Sequence, residues 1–410
     1  MTSRCPAPGV QPGPRRRAML LAALGGAGAG ALAGCTDSAS DAAAGSAPAA
    51  ASAPPSGERA GQGGAFRAAR QPGIRGRVQP YAAFVALDLA RGAGRTELRR
   101  LLAIWSDDIE RLMSGRAPLT DPEPEVARHT AGLTVTVGVG PRPVSLARGA
   151  GAVPEWLGPL PAYSIDRLQE RWCGGDLLLQ VCADSPTTVY HAARRLSIGV
   201  RDLAEVRWTQ RGFREPLNTG EGLVGMRNLF GQVDGSINPQ DDSLVFAGAG
   251  APDWLVDGSS LVLRRIRMDL DKWEQADRVA RENAIGRRLS DGAPITGGAE
   301  LDLPDFDAID ALGFHVVDDA AHVRRAHSSA PSEQILRRPY SYAEGQAPGA
   351  DAGLLFAAYQ VDPLAQFDPI QTRLAEADLL NLWTTPIGSA VFAILPGIGA
   401  DEHLGRALLA

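Results

Sequence analysis

Cysteine, histidine and methionine are scarce in this 410-residue sequence, which holds four, six and five of them respectively. The cysteines and histidines form no CxxC, CxxCH or HExxH pattern, so neither a zinc site of those types nor a covalently attached haem is indicated. Long basic runs are also missing, and 41 basic residues against 47 acidic ones give a net charge of −6. We therefore expect no nucleic-acid partner.

The N-terminal apolar stretch, residues 18–34, is too short and too rich in glycine for a stable membrane span. It follows three arginines, as in a signal peptide, and the letters RRAML from Arg16 fit the twin-arginine pattern, which exports folded proteins. The letters LAGC, which end at Cys35, are similar to a lipobox. We predict a signal peptide at 1–35, twin-arginine export out of the cytoplasm, and Cys35 as a candidate membrane lipid anchor. The alternative is an ordinary cleavage site.

Residues 36–72 are mostly alanine, serine, glycine and proline. Such a segment buries too little apolar surface to offset the entropy of ordering it, so we predict a disordered tether. Two cysteines remain beyond it, Cys173 and Cys182. The apolar segment between them predicts a strand rising ~3.3 Å per residue, which separates their Cα atoms by far more than the ~7 Å limit of a disulfide. We expect two free thiols.

A weak internal repeat organises the rest of the chain. Residues 175–184 and 353–362 each predict an apolar strand that ends in aspartate and leads through a proline turn into a helix. An earlier strand is predicted in each half, at 81–89 and 259–270. This order predicts an α+β fold of duplicated ferredoxin-like modules, with the halves at 73–224 and 225–410.

The basic stretch 321–338 carries two of the six histidines, His322 and His327. A neutral imidazole is the commonest metal ligand and the proximal ligand of many haem irons. Taken alone, the stretch is more often a solvated basic turn. Residues 231–235 read GQVDG, and an aspartate between glycines is likewise often only a turn residue.

Together, four ordered segments resemble the dye-decolourising (DyP-type) haem peroxidase family from about residue 72 to the C-terminus. They are GQVDG at 231–235, GR with GAP at 286–294, HVR at 322–324 and ILRR at 335–338. The resemblance implies haem b as cofactor in the C-terminal half. It also implies two antiparallel sheets that face each other with helices outside, the dimeric α+β barrel type.

Residue by residue, the resemblance makes His322 the iron ligand, because it matches the family's proximal histidine. Its second ring nitrogen should donate to a carboxylate, and both Asp362 and Asp378 are open as partners. The expected haem contacts also include Arg337; the others are Gly235, Ser236, Ile237, Arg287 and Arg324. Arg338 is expected at the surface, in an ion pair of little energetic value.

Asp234 and Arg337 match the family's distal pair. The carboxylate would move the peroxide proton, and the arginine would stabilise negative charge as the O–O bond breaks. The expected function is a peroxidase that reduces hydrogen peroxide and oxidises phenolic or dye-like one-electron donors. Two alternatives are an exported, deferrochelatase-like protein that releases iron from haem beside iron-uptake partner proteins, and a non-catalytic haem-binding lipoprotein. The distal pair favours catalysis, since a carrier needs neither residue.

Overall fold

The computed structural model describes residues 65–215, 223–327 and 330–410. The strands in these ranges are β1 Tyr81–Leu89, β2 Thr134–Val139, β3 Leu177–Ala183, β4 Ala204–Phe213, β5 Met226–Arg227, β6 Val233–Asp234, β7 Ser259–Met268, β8 Leu336–Arg337, β9 Tyr340–Ala343, β10 Ala352–Gln360 and β11 Thr384–Ile394. The helices are α1 Arg95–Met113, α2 Pro124–Ala127, α3 Pro141–Arg148, α4 Pro186–Gly199, α5 Leu270–Gln275, α6 Arg278–Ile285, α7 His322–Ala326 and α8 Phe367–Ala377.

Each half of the chain forms an antiparallel sheet with the same strand order. In the N-terminal half the order is β4-β1-β3-β2, and in the C-terminal half it is β11-β7-β10-β9. Numbered within its own half, the first sheet is 4-1-3-2 and so is the second, with the short β8 as an additional partner of β10. Both halves are therefore ferredoxin-like, and the predicted duplicated α+β fold is confirmed.

The two sheets join edge to edge into a closed barrel. At one seam β11 pairs with β2 through two residue pairs, and at the other β4 pairs with β9 through a single pair, Phe213 with Ser341. Closure leaves the central strands without free edges, which removes a template for aggregation. It also encloses the inner faces of both sheets.

Side-chain alternation divides the strands between two environments. In β1, Ala82, Phe84 and Ala86 face the barrel interior, where they meet Leu355 and Tyr359 of β10. The intervening residues of β1 belong to the outer core, where α1 and α4 cover the N-terminal sheet. Trp105 of α1 is fully buried there and its indole N–H donates to the carbonyl of Leu196 in α4 at 3.0 Å.

The last part of the predicted tether is folded, which corrects the prediction that it runs to residue 72. Phe66 is buried in the outer core, and Arg67 forms an ion pair with Glu110 at 2.7 Å. The amide of Gln71 donates to the carbonyls of Val137 and Leu395, both at 2.8 Å. One aromatic residue and two polar side chains provide this anchoring, so the average composition of the segment does not reveal it.

Cys173 and Cys182 are both free thiols, as predicted. Cys182 is buried in the barrel interior and accepts a hydrogen bond from the hydroxyl of Tyr340. Among the described residues, no helix has both the length and the apolar character that crossing a membrane requires. The predicted signal peptide, Cys35 and residues 36–64 lie outside the described part of the chain.

Gly353 provides a test of the close packing between β10 and β7. A Cβ atom at this position would lie 2.0 Å from the carbonyl oxygen of Ile266 in the paired strand. Because backbone has to move to relieve this contact, we expect Gly353→Ala to lower the free energy of unfolding by about 1–3 kcal/mol. Gly248→Ala is the matched control, since its Cβ would meet nothing within 4 Å. Equal denaturant midpoints for the two variants would contradict this packing.

Candidate active site

A cavity of about 510 Å³ lies on the outer face of the C-terminal sheet. Its wall includes Ile266 and Met268 of β7 together with Leu354 and Phe356 of β10. These side chains alternate with barrel-facing ones along the same strands, such as Leu263 and Leu355. The cavity is thus walled partly by the outward, apolar face of the sheet, which suits a flat apolar ligand.

The hairpin of β5 and β6 brings Asp234 into the cavity wall. Met226 pairs with Asp234, and Trp273 stacks on Phe230 in the turn between the strands at a ring distance of 4.3 Å. Gly235 follows with φ of 82°, a left-handed conformation that glycine adopts without strain. Ser236 and Ile237 continue along the cavity wall.

Arg337 faces Asp234 across this wall. Its guanidinium donates to Asp234 Oδ1 at 3.1 Å and to the carbonyl of Ile237 at 3.1 Å. Asn238 fixes the backbone of the arginine from both sides, because its side chain accepts from the Arg337 amide at 2.8 Å and donates to the Arg337 carbonyl at 3.2 Å. The side chains are only partly shielded, with 12% of Asp234 and 29% of Arg337 exposed. The two distal candidates are therefore brought together and held in a defined geometry.

His322 begins α7 and lines the same cavity. Its Nδ1 lies 2.7 Å from Oδ2 of Asp378, the residue that follows α8. The other oxygen of Asp378 accepts from the Leu380 amide at 2.9 Å. Of the two carboxylates that the sequence left open, Asp378 is thus the partner, whereas Asp362 accepts backbone N–H groups in the turn before α8.

The environment of His322 favours a proton on Nδ1. Burial lowers the pKa of His322, but the charge of Asp378 and its hydrogen bond outweigh this effect and raise the pKa. Because the Asp378 carboxylate can only accept a hydrogen bond, Nδ1 of His322 carries the proton. In the neutral ring the free lone pair is therefore on Nε2. Nε2 makes no hydrogen bond within the described ranges.

Gly286 allows α7 to approach the end of α6. It ends α6 in the left-handed conformation, with φ of 87°. A Cβ at this position would lie 2.4 Å from Val323 Cγ1, one residue after His322. The GR segment that the sequence singled out therefore contributes to the position of the histidine through its glycine.

Arg287 lines the cavity, but its guanidinium is engaged by backbone. It donates to the carbonyls of Gly292, Glu300 and Asp302 at 2.8–2.9 Å. Burial, followed by the positive charge of Arg337, lowers its pKa. Arg287 thus brings positive charge to the cavity while it holds the loop 292–302 in place.

Glu300 stabilises the site, although no pattern in the sequence predicted a role for it. Its carboxylate accepts from the amides of Val224 and Gly225 at 2.8 and 2.7 Å, and from the hydroxyl of Ser236. Burial raises its pKa, but these hydrogen bonds and the charge of Arg287 outweigh burial and lower the pKa. An ionised Glu300 therefore fixes the start of the hairpin and the residue two places after Asp234.

Arg324 is absent from the cavity lining, contrary to its predicted haem contact. Its guanidinium donates to the carbonyls of Phe306 and Val317 at 2.6 and 2.7 Å and lies over the Phe306 ring at 5.1 Å. Phe306 itself lines the cavity. In this structure Arg324 supports the wall from behind, because the carbonyls of the loop before α7 capture its donors.

Arg338 is buried, which corrects the expectation of a surface position. Only 2% of the residue is exposed, and it donates to the carbonyls of Ile74, Gly76 and Arg77 at 3.1–3.3 Å. Its neighbour Arg337 points the other way, as successive residues of an extended chain do. The second arginine of the pair joins the C-terminal half to the first folded residues of the chain.

Comparisons with known proteins agree with this geometry. Models of the Dyp-type peroxidase N-terminal and C-terminal domains match residues 71–214 and 225–399. A dye-decolorizing peroxidase from Thermobifida fusca is 37% identical over 363 residues, covering 83% of this chain and 84% of the relative. A deferrochelatase from Shigella flexneri is 32% identical, and the match covers 84% of this chain and 87% of the relative. The crystal structure of a DyP-type peroxidase from Cellulomonas bogoriensis is 49% identical, with a TM-score of 0.81 over 84% of this chain and 97% of that one.

The fold and these relatives together place the chain among haem peroxidases built from duplicated ferredoxin-like modules. This chain belongs to the Dyp-type peroxidase family. It is an oxidoreductase that contains haem and takes hydrogen peroxide and a reductant as substrates.

The residues of the cavity fit the haem group. The volume of about 510 Å³ lies within the ~300–1,000 Å³ usual for cofactor sites. One histidine lines it with its Nδ1 bound to a buried carboxylate, the arrangement that orients metal-ligating imidazoles. The apolar floor suits the porphyrin plane, and arginines at the wall suit its acidic substituents.

The His322–Asp378 pair gives a graded prediction for haem binding. We expect His322→Ala to lose most of the haem and its Soret band, since it removes the imidazole that would hold the iron. Asp378→Asn should keep the ligand but weaken haem affinity by about 10–100-fold, the usual effect of losing such a partner. Asp362→Asn is the control and should bind like the parent, because this carboxylate only caps a turn. Titration of apoprotein with haem measures all three; equal affinities for both asparagine variants would contradict the role of Asp378.

Proposed function

We propose that His322 binds the haem iron and that Asp234 and Arg337 activate hydrogen peroxide in the same cavity. The observation that carries the proposal is the ion pair of Asp234 with Arg337, which shares one cavity with a histidine held by a buried carboxylate. Bound haem supplies the redox chemistry. The chain supplies the ligand, the proton transfer and the fixed positive charge.

Asp234 moves the proton. As a carboxylate it accepts a proton from one oxygen of hydrogen peroxide, and it returns the proton to the other oxygen, which leaves as water. Arg337 lies at hydrogen-bond distance from this carboxylate and keeps its charge at any working pH. It stabilises the negative charge that develops as the O–O bond breaks. Each peroxide takes up two electrons and two protons to become two waters; two one-electron donors provide the electrons, and the oxidised donors or the solvent provide the protons.

The reductants in this proposal are phenolic or dye-like molecules, which give up single electrons. The printed name of the Thermobifida fusca relative, dye-decolorizing peroxidase, supports this class. Iron release from haem is the second candidate, favoured by the relatives that are named deferrochelatase. The products separate the two functions, because a peroxidase leaves the haem intact whereas iron release leaves metal-free porphyrin.

Around the haem, we assign Gly235, Ser236 and Ile237 to its edge and Arg287 to its acidic substituents. All four line the cavity. Phe306 completes this part of the wall, and Arg324 positions it through the Phe306 carbonyl and ring. His327 contacts the same ring in a tilted arrangement, with ring centroids 5.0 Å apart. The family usually carries an asparagine-proline-arginine segment at this point of the sequence.

We also propose that the enzyme acts outside the cytoplasm. The twin arginine at Arg16 and Arg17 and the lipobox-like letters up to Cys35 support export of a folded protein that becomes lipid-anchored. Export after folding suits an enzyme that has to acquire haem before it crosses the membrane. The segment 36–64 would then link the anchor to the folded part, which begins by residue 65.

The distal pair is tested by the rate at which the Soret band changes after mixing with hydrogen peroxide. We expect Arg337→Leu to slow this change by about 10²–10³, the usual cost of one oriented charge. Arg337→Lys should recover part of the rate, since it keeps the charge but loses the two-point contact. Asp234→Asn should lose less, because a water molecule can carry the proton in its place. Parent rates in Arg337→Leu and Asp234→Asn would exclude both residues from catalysis.

Export is tested in cells of the source organism. We expect replacement of both Arg16 and Arg17 by lysine to retain the enzyme in the cytoplasm, because the export machinery reads the arginine pair. Cys35→Ala should be exported and bind haem but should no longer partition with membranes. Fractionation followed by haem staining measures each outcome. Undisturbed export of the double-lysine variant would rule out the twin-arginine route.

A further inference from the structure

A histidine and two carboxylates converge on the N-terminal half, away from the haem cavity. Asp121 and Glu123 lie in the connection between α1 and α2, and His191 lies on α4. One ligand atom from each residue falls within 4.8 Å of the other two. None of the three lines the haem cavity or takes part in the proposed mechanism.

Two of these side chains are buried with unsatisfied polar atoms. The Asp121 side chain has no exposed surface, and 9% of the His191 side chain is exposed. Oδ2 of Asp121 and Nε2 of His191 lie 3.0 Å apart. Apart from this contact with each other, the two atoms meet no hydrogen-bond partner within the described ranges. Because buried polar atoms without hydrogen bonds are costly, a ligand shared by both would stabilise the arrangement.

The two atoms lie close enough to share a cation after a small opening of the pair. Zinc binds imidazole nitrogen and carboxylate oxygen at about 2.0–2.2 Å, and tetrahedral coordination then places neighbouring ligand atoms about 3.3–3.6 Å apart, a few tenths of an ångström more than the 3.0 Å between Asp121 and His191. Glu123 is exposed, so its side chain is free to rotate and complete the set. An imidazole among the donors favours a transition metal over magnesium or calcium, which prefer oxygen ligands alone.

The remaining oxygen of Asp121 is already positioned. Oδ1 accepts from the Glu123 amide at 3.0 Å, and Nη1 of Arg195, one turn after His191 on α4, lies 3.8 Å away. Such outer contacts orient a metal ligand. Oδ2 is therefore turned toward His191, with one oxygen of the carboxylate anchored and the other open.

We propose that Asp121, Glu123 and His191 form a divalent transition-metal site, with zinc as the cation that fits the donors best. The site fastens the connection between α1 and α2 to α4. Its role is structural, because it lies on the half of the chain that does not carry the haem. Water completes the coordination sphere on the exposed side, where Glu123 lies.

The test is zinc titration of the haem-loaded enzyme after chelator treatment. We expect one tight zinc per chain in excess of the haem iron, with X-ray absorption at the zinc edge showing one histidine nitrogen among oxygen ligands. Glu123→Gln and His191→Gln should each weaken zinc binding by at least about 10-fold, since even outer contacts are worth that much. Glu125→Gln, an exposed neighbour outside the cluster, is the matched control and should bind like the parent.

Unchanged Soret spectra and peroxidase rates show that each variant is folded, because these residues lie outside the haem site. If His191→Gln does not fold, the zinc affinity of Glu123→Gln, a substitution at an exposed residue, provides the test by itself. Equal zinc affinity in the parent and Glu123→Gln would overturn the proposal, and so would tighter binding of magnesium or calcium than of zinc. In either case the close approach of Asp121 and His191 would be an ion pair only.

Discussion

Burial of the two inner sheet faces against each other is the constraint on which the rest of the structure depends. The seams between the halves are short, with two residue pairs between β11 and β2 and one between β4 and β9. Backbone pairing at the seams is therefore a small part of what joins the sheets. Apolar side chains of both halves fill the interior, and burial of this kind supplies most of the stability of a fold. Because the inner faces are buried in the barrel interior, the outer face of the C-terminal sheet remains available to line the cavity.

The site uses that outer face for its floor and nearby loops for its chemistry. His322, Asp234 and Arg337 come from a short helix, a two-residue strand and another two-residue strand. Such short elements hold a geometry only when other groups fix them. Asp378 does this for the histidine, and Asn238 does it for the arginine backbone. The arrangement is therefore preorganised, and fixed charge of this kind is the main way in which polar sites accelerate chemistry.

Sequence reasoning located the strands well because alternating or continuous apolar runs are a strong signal. Strand β1 lies at the predicted residues 81–89, and β3 and β10 differ from the prediction by one or two residues at their ends. The site residues came from the family resemblance and not from periodicity. Sequence reasoning could not settle choices that depend on three-dimensional neighbours. It placed Arg338 at the surface although the residue is buried, it left the partner of His322 open between Asp362 and Asp378, and it did not reveal that backbone carbonyls bind the Arg324 guanidinium. Glu300 acts through hydrogen bonds across 64–76 positions of sequence, which no local pattern encodes.

The opposite orientation of Arg337 and Arg338 has a consequence for how the two halves depend on each other. Arg337 faces the cavity, whereas the next residue, Arg338, donates to the carbonyls of residues 74, 76 and 77. The placement of the Arg337 charge is therefore set in part by backbone from the opposite end of the folded chain. The internal repeat gives two similar halves that are not separable: the C-terminal half, which provides most of the cavity wall, depends on the N-terminal half for the alignment of Arg337.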